Sequence, residues 1–181
     1  MEIESFEIDG LYLLKPRLFE DERGYFYESF NQVRYEELGL DFKQFCQDNV
    51  SHSKKGVLRG LHFQNPPFAQ GKLVSVLQGA VLDVAVDLRK NSKTYGKHIK
   101  VELNALNHHQ FYIPPGFAHG FLALEDHTIF SYKCTAYYAP KAERTLMWND
   151  EDLNIDWQYV NPIVSSKDQI GEKFINFDSP F

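Results

Sequence analysis

Three basic side chains of different chemistry lie within a stretch of fourteen residues, from Arg59 to Lys72. Arg59 supplies a guanidinium, His62 an imidazole and Lys72 an ammonium. Guanidinium and ammonium groups bind anionic oxygens, and an imidazole exchanges protons near neutral pH. The stretch therefore indicates a site for an anionic or proton-transferring ligand. The alternative is that Arg59 is a solvated edge charge and His62 a hydrogen-bonded core histidine.

The residues that carry these groups read as a core strand between two turns. Residues 57–63 are apolar and aromatic, with a glycine before them and Asn-Pro-Pro after them. Alternate side chains of a strand share a face, so Arg59 and His62 would point to opposite sides. A bend at Gly60 or a strong local twist would let both side chains line one pocket.

The composition predicts a single domain, residues 1–181, that is rich in strands. The chain is 43% hydrophobic and contains 15 Phe and 10 Tyr, residues that favour strands over helices. The formal net charge of −6 argues against nucleic acid as a partner. A local cluster of Arg and Lys can still hold one phosphorylated ligand.

The two cysteines, Cys46 and Cys134, have no metal-like spacing. We expect two inert buried thiols in a reducing compartment, with a disulfide as the alternative. The acidic residues 1–5 do not resemble a secretory signal, and no apolar stretch reaches transmembrane length. We therefore expect a cytoplasmic protein with no membrane partner.

Many short strands separated by Gly, Pro and Asn turns indicate an antiparallel sandwich or a small barrel. One helix is expected from Asn31 to Leu38, with Asn31 as its N-cap and Gly39 as its terminator. The strands are expected at residues 11–19, 25–30, 57–63, 72–77, 80–88, 97–103, 110–113, 120–123 and 128–138.

Two motifs resemble those of cupins, which are all-β double-stranded β-helix (jelly-roll) proteins. Residues 114–119 match the second half-motif, Pro-x-Gly-x-x-His. The first half-motif begins at His62, but Gln64 replaces its second histidine, and Lys72 lies seven residues before Gly79, where a metal-binding Glu is expected. Because an ammonium repels a dication, we expect a cupin without metal and with a few short helices. The alternative for Lys72 is a surface lysine at a strand start.

The motifs together resemble the dTDP-4-dehydrorhamnose 3,5-epimerase family, from about Leu11 to Gln169. The resemblance implies a homodimer without cofactor that inverts two carbons of a dTDP-linked 4-keto-6-deoxyhexose on the route to L-rhamnose. The motifs are Phe-x-Asp-x-Arg23-Gly-x-Phe, Gln47-Asp48-Asn49, Arg59-Gly-Leu-His62, Pro-Pro-Gly-Phe-Ala-His119-Gly-Phe, Tyr132-Lys-Cys-Thr-x-Tyr-Tyr138 and Ser165-Ser-Lys167-Asp168.

This chemistry explains the residue types. Carbons 3 and 5 flank the C4 ketone, so their protons can be removed once the resulting enolate is stabilised. The resemblance implies that His62 is the base, that Asp168 orients it and that Lys72 lies beside the C4 oxygen. Tyr132 would return a proton from the opposite face, which produces inversion. The alternative for Tyr132 is an aromatic residue of the core.

The remaining matched positions would hold the nucleotide. Arg59 and His119 match phosphate-side contacts, and Tyr138 matches the position that stacks on the thymine. Arg23 and Glu28 match positions that reach the site from the partner subunit, although a solvated turn also explains them. The other matched substrate contacts are Gln47, Asn49, Glu143 and Lys167.

Three other functions compete with this interpretation. A relative that epimerises only one of the two carbons would use the same base, acid and cation. A noncatalytic sugar-nucleotide-binding cupin lacks support, because both His62 and Tyr132 are present. A metal-dependent cupin oxygenase is disfavoured by Gln64 and Lys72.

Overall fold

Strands form most of the regular structure in the computed structural model, which describes residues 1–37, 39 and 45–181. Within these described residues, the regular structure also includes one α-helix, α1 (Gln32–Glu37), and two short 3-10 turns, Asp168–Ile170 and Phe174–Asn176. The strands are β1 (Glu2–Ser5), β2 (Tyr12–Lys15), β3 (Phe19–Asp21), β4 (Gly24–Phe26), β5 (Gln47–Ser53), β6 (Val57–Gln64), β7 (Lys72–Gln78), β8 (Ala80–Asp87), β9 (His98–Asn104), β10 (Gln110–Ile113), β11 (Phe117–Ala123), β12 (Thr128–Cys134), β13 (Glu143–Thr145) and β14 (Ile163–Val164).

The strands form two large sheets and one small ribbon. The first sheet has the order β1-β2-β10-β7-β12-β5, and all its pairings are antiparallel. The second sheet has the order β13-β6-β11-β8-β9, with β14 added in parallel to β6. The ribbon pairs β3 with β4. The predicted cupin-type jelly roll with few short helices is confirmed.

The core lies between the two large sheets. Val74 and Phe130 of the first sheet pack with Ala85 and Phe121 of the second. The rings of Phe121 and Phe130 stack across the gap with centroids 4.2 Å apart. Strand β8 is buried along its whole length, because its other face is covered by a second apolar cluster that includes Trp157 and residues near the C-terminus. Burial on both faces explains why β8 is an almost continuous apolar run.

Three predicted strands are too long. Residues 11–19 do not form one strand: β2 ends at Lys15, before a proline that has no N–H to donate to a ladder, and Phe19 starts β3. The strand expected at 25–30 stops at Phe26, and that at 128–138 stops at Cys134. The other predicted strands are confirmed to within three residues at each end.

The predicted helix is confirmed as α1. The side chain of Asn31 caps it by accepting the backbone N–H of Arg34 at 3.3 Å. Gly39 follows with a φ of +79°. The predicted last residue, Leu38, lies outside the described residues. No helix in the described part of the chain is long and apolar enough to cross a membrane.

The expectation of two buried thiols is wrong for one of them. Cys134 is buried on the inner face of β12, whereas Cys46 is exposed just before β5. Both cysteines are free thiols.

Of the two ways to bring Arg59 and His62 into one pocket, a bend at Gly60 or a local twist, the structure has the bend. His62 pairs with His119, and Arg59 pairs with Phe121. The two paired positions are three residues apart on β6 but only two residues apart on β11. The extra residue is a β-bulge, which turns Arg59 and His62 toward the same side. Gly60 has a φ of +132°, and a Cβ there would lie 2.5 Å from the Cα of Gly120. Only glycine fits this position.

Replacing Gly60 tests how tightly the bulge is built. Gly60→Ala should lower the free energy of unfolding by at least about 2 kcal/mol, because the backbone conformation excludes a side chain and the new methyl overlaps β11. Urea unfolding measures this loss.

Gly24→Ala is the matched control, since Gly24 has a φ of +123° but a Cβ there would meet no described atom within 4 Å. It should cost only about 1 kcal/mol. Equal losses in the two variants would contradict the close packing of β6 on β11.

Candidate active site

A cavity with two connected lobes lies between the sheets, and His62, Lys72 and Tyr132 line both lobes. The lobes enclose about 290 Å³ and 470 Å³, which together suit a ligand larger than a free sugar. The amide lobe is lined by polar side chains that include Gln47, Asn49, Gln64, Gln70, Tyr138 and Glu143. The cationic lobe is lined by residues that include Ser51, Arg59, His119, Phe121, Lys167 and Asp168.

Strand alternation places the side chains of the first sheet. Along β5, residues 47, 49, 51 and 53 turn inward, while the residues between them are exposed. On β12, Tyr132 lies opposite Asn49, and Cys134 lies opposite Lys72 of β7. The inner face of three adjacent strands thus carries an amide, a phenol and an ammonium side by side.

His62 and Asp168 form a close pair although they are 106 residues apart in sequence. His62 Nε2 lies 2.5 Å from Asp168 Oδ1, and the Asp168 side chain is only 4% exposed. Burial by itself would raise the pKa of Asp168. The hydrogen bond and positive charge of His62 outweigh it, together with the N–H of Gly60, so the pKa is lowered. The ionised carboxylate fixes the imidazole with Nε2–H toward it, which leaves Nδ1 to accept a proton.

Lys72 is a half-buried cation at the start of β7. Burial lowers the pKa of its ammonium, while Cys134, Asp83 and Glu143 oppose that shift. Among the described residues no hydrogen-bond or ion-pair partner contacts its Nζ. The ammonium is therefore free to bind an anionic oxygen in the cavity.

Tyr132 faces the cavity from the sheet opposite that of His62. Burial raises the pKa of its phenol, and Cys134 and Glu143 add to that shift while Arg59 opposes it. The phenol therefore keeps its proton at neutral pH. A protonated phenol on one wall and an imidazole–carboxylate pair on the other can serve as an acid and a base.

Arg59 and His119 lie in the cationic lobe, each held by a residue that the sequence reasoning missed. Arg59 donates from Nε to the hydroxyl of Ser53 at 3.3 Å and from Nη2 to the carbonyl of His52 at 3.4 Å. His119 Nε2 lies 2.9 Å from both carboxylate oxygens of Asp83, which is fully buried. Burial lowers the pKa of His119, although the charge of Asp83 opposes this shift.

A signal for Asp83 was present in the sequence. It is the only charged residue in the apolar run of residues 80–86, and a buried carboxylate requires a partner. Ser53 carried no comparable signal, because a serine on an edge strand is common.

Four predicted substrate contacts lie together at the mouth of the amide lobe. Glu143 Oε2 accepts the hydroxyl of Tyr138 at 2.6 Å and lies 2.5 Å from Lys167 Nζ. Gln47 Oε1 accepts the backbone N–H of Tyr138 at 2.8 Å. Burial would raise the pKa of Glu143, but Lys167 and Tyr138 outweigh it and lower the pKa. Asn49 lies deeper and donates to Cys134 Sγ at 3.6 Å.

Gln64 stands where the first cupin half-motif has its second histidine, and its side chain is hydrogen-bonded to the backbone of two loops. Its side chain accepts the N–H of Ala139 at 2.7 Å and donates to the carbonyl of Phe68 at 2.6 Å. No group of three or more His, Cys, Asp or Glu side chains suited to a metal ion occurs among residues 1–37, 39 and 45–181.

The structure does not bring Arg23 and Glu28 into the cavity of the same chain. Arg23 lies on the β3–β4 ribbon with a side chain that is 84% exposed, and it pairs with Asp21. Glu28 pairs with Arg34 at 2.5 Å. The exposed ribbon also presents Tyr25 and Phe26 to solvent, at 56% and 65% exposure.

Comparison with known proteins gives one family. The sequence profile described as dTDP-4-dehydrorhamnose 3,5-epimerase matches residues 5–176. The chain is 49% identical over 178 residues to the dTDP-4-dehydrorhamnose 3,5-epimerase of Shigella flexneri, and the alignment covers 98% of each protein.

Solved structures give the same result. The crystal structure of dTDP-4-dehydrorhamnose 3,5-epimerase from Elizabethkingia anophelis is 50% identical, with a TM-score of 0.92 and 97% of each chain covered. A 3,5-epimerase from Legionella pneumophila, solved in complex with dTDP-4-keto-L-rhamnose, is 48% identical with a TM-score of 0.93, covering 98% of this chain and 94% of the other.

Proposed function

The chain belongs to the dTDP-4-dehydrorhamnose 3,5-epimerase family, and we propose that the cavity between its sheets is the active site. The enzyme is an isomerase that converts dTDP-4-dehydro-6-deoxy-D-glucose to dTDP-4-dehydro-L-rhamnose in dTDP-L-rhamnose biosynthesis. The observation that carries the proposed mechanism is that His62, Lys72 and Tyr132 line both lobes of one cavity.

The first step is removal of a proton next to the C4 ketone. His62 takes the proton on Nδ1, and Asp168 stabilises the imidazolium that forms. The 2.5 Å contact between the two side chains supports these roles. Electrons from the broken C–H bond move into the ketone, which becomes an enolate with its negative charge on the C4 oxygen.

Lys72 stabilises that enolate. Its ammonium has no partner among the described residues, so it does not have to leave a carboxylate to bind the developing charge. A cation that is already desolvated interacts more strongly with an oxyanion than one in water.

Tyr132 returns a proton to carbon from the other face. It lies on the first sheet and His62 on the second, so a sugar ring between the sheets would present one face to each. The raised pKa of Tyr132 supports its role as the acid. Before the same steps occur at the second carbon, His62 releases its proton to solvent and Tyr132 takes one up, which restores the base and the acid. The second inversion then completes the reaction.

The remaining side chains hold the nucleotide. Arg59 and His119 would contact the diphosphate in the cationic lobe, with Lys167 at its rim. Tyr138 would stack on the thymine at the mouth of the amide lobe, where its backbone is held by Gln47. Asn49 and Glu143 complete the set of substrate contacts.

We also propose that the reaction needs no metal. Lys72 occupies the position where the cupin motif would place a carboxylate ligand, and the Gln64 side chain is already hydrogen-bonded to backbone groups.

We propose in addition that this single domain, residues 1–181, is cytoplasmic. The free thiols of Cys46 and Cys134 support a reducing compartment.

A homodimer with shared sites accounts for the ribbon residues. Tyr25 and Phe26 expose more apolar surface than a solvated ribbon tolerates, and a second copy of the chain would cover them. Arg23 and Glu28 would then reach the cavity of the partner subunit.

The mechanism predicts different failures for the base and acid variants in deuterated water. His62→Ala should abolish both inversion and solvent exchange at C3 and C5, because no enolate forms. Tyr132→Phe should incorporate deuterium with retained configuration faster than it inverts, since His62 can return the proton on its own face. Net inversion should fall by about 10²–10⁴-fold, the usual cost of losing a general acid.

Proton NMR follows exchange and inversion at both carbons. EDTA is added to every sample, so that normal activity of the wild type shows that no metal is needed. Inversion by the wild type at only one carbon would identify a single-carbon epimerase. Tyr95→Phe is the control, because Tyr95 packs on Phe174 outside the cavity. Normal inversion in Tyr132→Phe would remove Tyr132 from the mechanism and make Tyr137 and Tyr138 the next candidates.

Mixing two inactive variants tests the shared site. Arg23→Ala subunits combined with His62→Ala subunits should recover part of the activity, because one site of each mixed dimer then holds both residues intact. Light scattering measures the dimer, and differently tagged subunits report heterodimer formation. Heterodimers that form but remain inactive would contradict shared sites.

A further inference from the structure

The loop that carries Tyr138 contains no helix or strand. Residues 135–142 connect β12 to β13, and Tyr138 is 52% exposed at the mouth of the amide lobe. The backbone of residues 136–138 makes no backbone–backbone hydrogen bond to any described residue. A segment without such bonds opens at little cost in free energy unless side chains hold it.

Glutamine side chains hold this loop from the first sheet. Gln70, just before β7, donates from Nε2 to the carbonyl of Ala136 at 2.7 Å. Gln47, on β5, accepts the N–H of Tyr138 on Oε1 at 2.8 Å. Because β5 and β7 are the two neighbours of β12, these bonds tie the loop to both sides of the strand from which it emerges.

A third glutamine, Gln64, holds the loop from the second sheet. Its Oε1 accepts the N–H of Ala139 at 2.7 Å, and its Nε2 donates to the carbonyl of Tyr137 at 3.3 Å. The same Nε2 donates to the carbonyl of Phe68 at 2.6 Å. An amide can donate and accept at once, whereas a carboxylate lacks the donor. Each residue from 136 to 139 therefore has one backbone group bonded to a glutamine side chain.

We propose that Gln64 and Gln70 are positioning residues for the nucleotide base, which act by holding the backbone on either side of Tyr138. This role rests on the proposed function, in which the Tyr138 ring stacks on the thymine, and it adds two residues that need not touch the ligand. A loop that is already ordered does not lose conformational entropy again when the ligand binds.

The hydrogen bonds of Tyr138 agree with this role. Its hydroxyl donates to Glu143 Oε2 at 2.6 Å, which holds the outer end of the side chain. The glutamine bonds hold the backbone at its inner end. The ring is thus fixed at both ends although half of its surface is open to a ligand.

Direct contact with the ligand is the alternative role, because Gln64 and Gln70 also line the amide lobe. The structure favours positioning for Gln64. Both polar atoms of its side chain already have backbone partners, and the residue is only 3% exposed.

A double-mutant cycle with Tyr138→Ala separates positioning from contact. Gln64→Met and Gln70→Met keep the length of the side chain and remove the amide. Calorimetric titration with dTDP should give a Kd at least about threefold higher for each variant. Tyr138→Ala should raise the Kd about fivefold or more, as is usual for base–aromatic stacking. Added to Tyr138→Ala, neither glutamine substitution should weaken binding further, because no ring is left to position.

Inorganic pyrophosphate, which has no base, gives a second readout. Its inhibition constant and the kcat for the sugar nucleotide should stay near the wild-type values in Gln64→Met and Gln70→Met, while KM rises. A general distortion of the cavity would change all of them. Gln78→Met is the matched control, because Gln78 is exposed at the opposite end of β7 from Lys72. It should leave every constant unchanged.

The other outcomes overturn the proposal in different ways. Losses that multiply in the double variants would show that the glutamines contact the nucleotide themselves. Unchanged dTDP affinity in the single variants would show that the loop is held without them. Equal weakening of dTDP and pyrophosphate would show a general distortion.

Two further results are also decisive. If the buried substitution Gln64→Met prevents folding, Gln70→Met decides alone, since Gln70 is half-buried. Wild-type affinity for dTDP in Tyr138→Ala would refute the thymine contact of the proposed function itself, and the positioning role would fall with it.

Discussion

The active site depends on the half-buried ammonium of Lys72, which contacts no carboxylate among the described residues. Burying a charge is costly unless it is paired, and the other basic side chains of the cavity show how pairing is achieved. His62 bonds Asp168, His119 bonds Asp83 and Lys167 bonds Glu143. Within the described residues, Lys72 and Arg59 are the cavity cations that contact no carboxylate. Two unpaired cations suit a substrate with two anionic regions, a diphosphate and an enolate that forms during the reaction.

The jelly roll supplies this arrangement by facing two sheets across a partly polar gap. The apolar stack of Phe121 and Phe130 marks where the closed core meets the cavity. The bulge at Gly60 then turns two neighbouring functional side chains of β6 toward one side, which a regular strand cannot do. Proton transfer from opposite faces follows from placing the imidazole and the phenol on different sheets.

The sequence predicted the local features better than the long-range ones. Hydrophobic runs bounded by Gly and Pro located most strands. Strand alternation puts Arg59 and His62 on opposite faces, so a shared pocket required either a bend at Gly60 or a strong local twist. The partners of His119 and Arg59 were missed, because only the sheet register brings Asp83 and Ser53 to them. Tyr132 could not be distinguished from a core aromatic by its pattern alone. Its proposed role, like that of Asp168, came from the family resemblance.

The role of Lys72 is tested most directly by separating chemistry from binding in Lys72→Ala. Deuterium exchange at C3 and C5 should slow by at least about 10²-fold, because the charge on the C4 oxygen develops only as the proton leaves. The Kd for dTDP should stay within about threefold of the wild-type value, since dTDP has no C4 oxygen and Lys72 is assigned to that oxygen rather than to the phosphates. A variant with weakened dTDP binding and an unchanged exchange rate would contradict the role of Lys72 at the C4 oxygen and assign it to the phosphates.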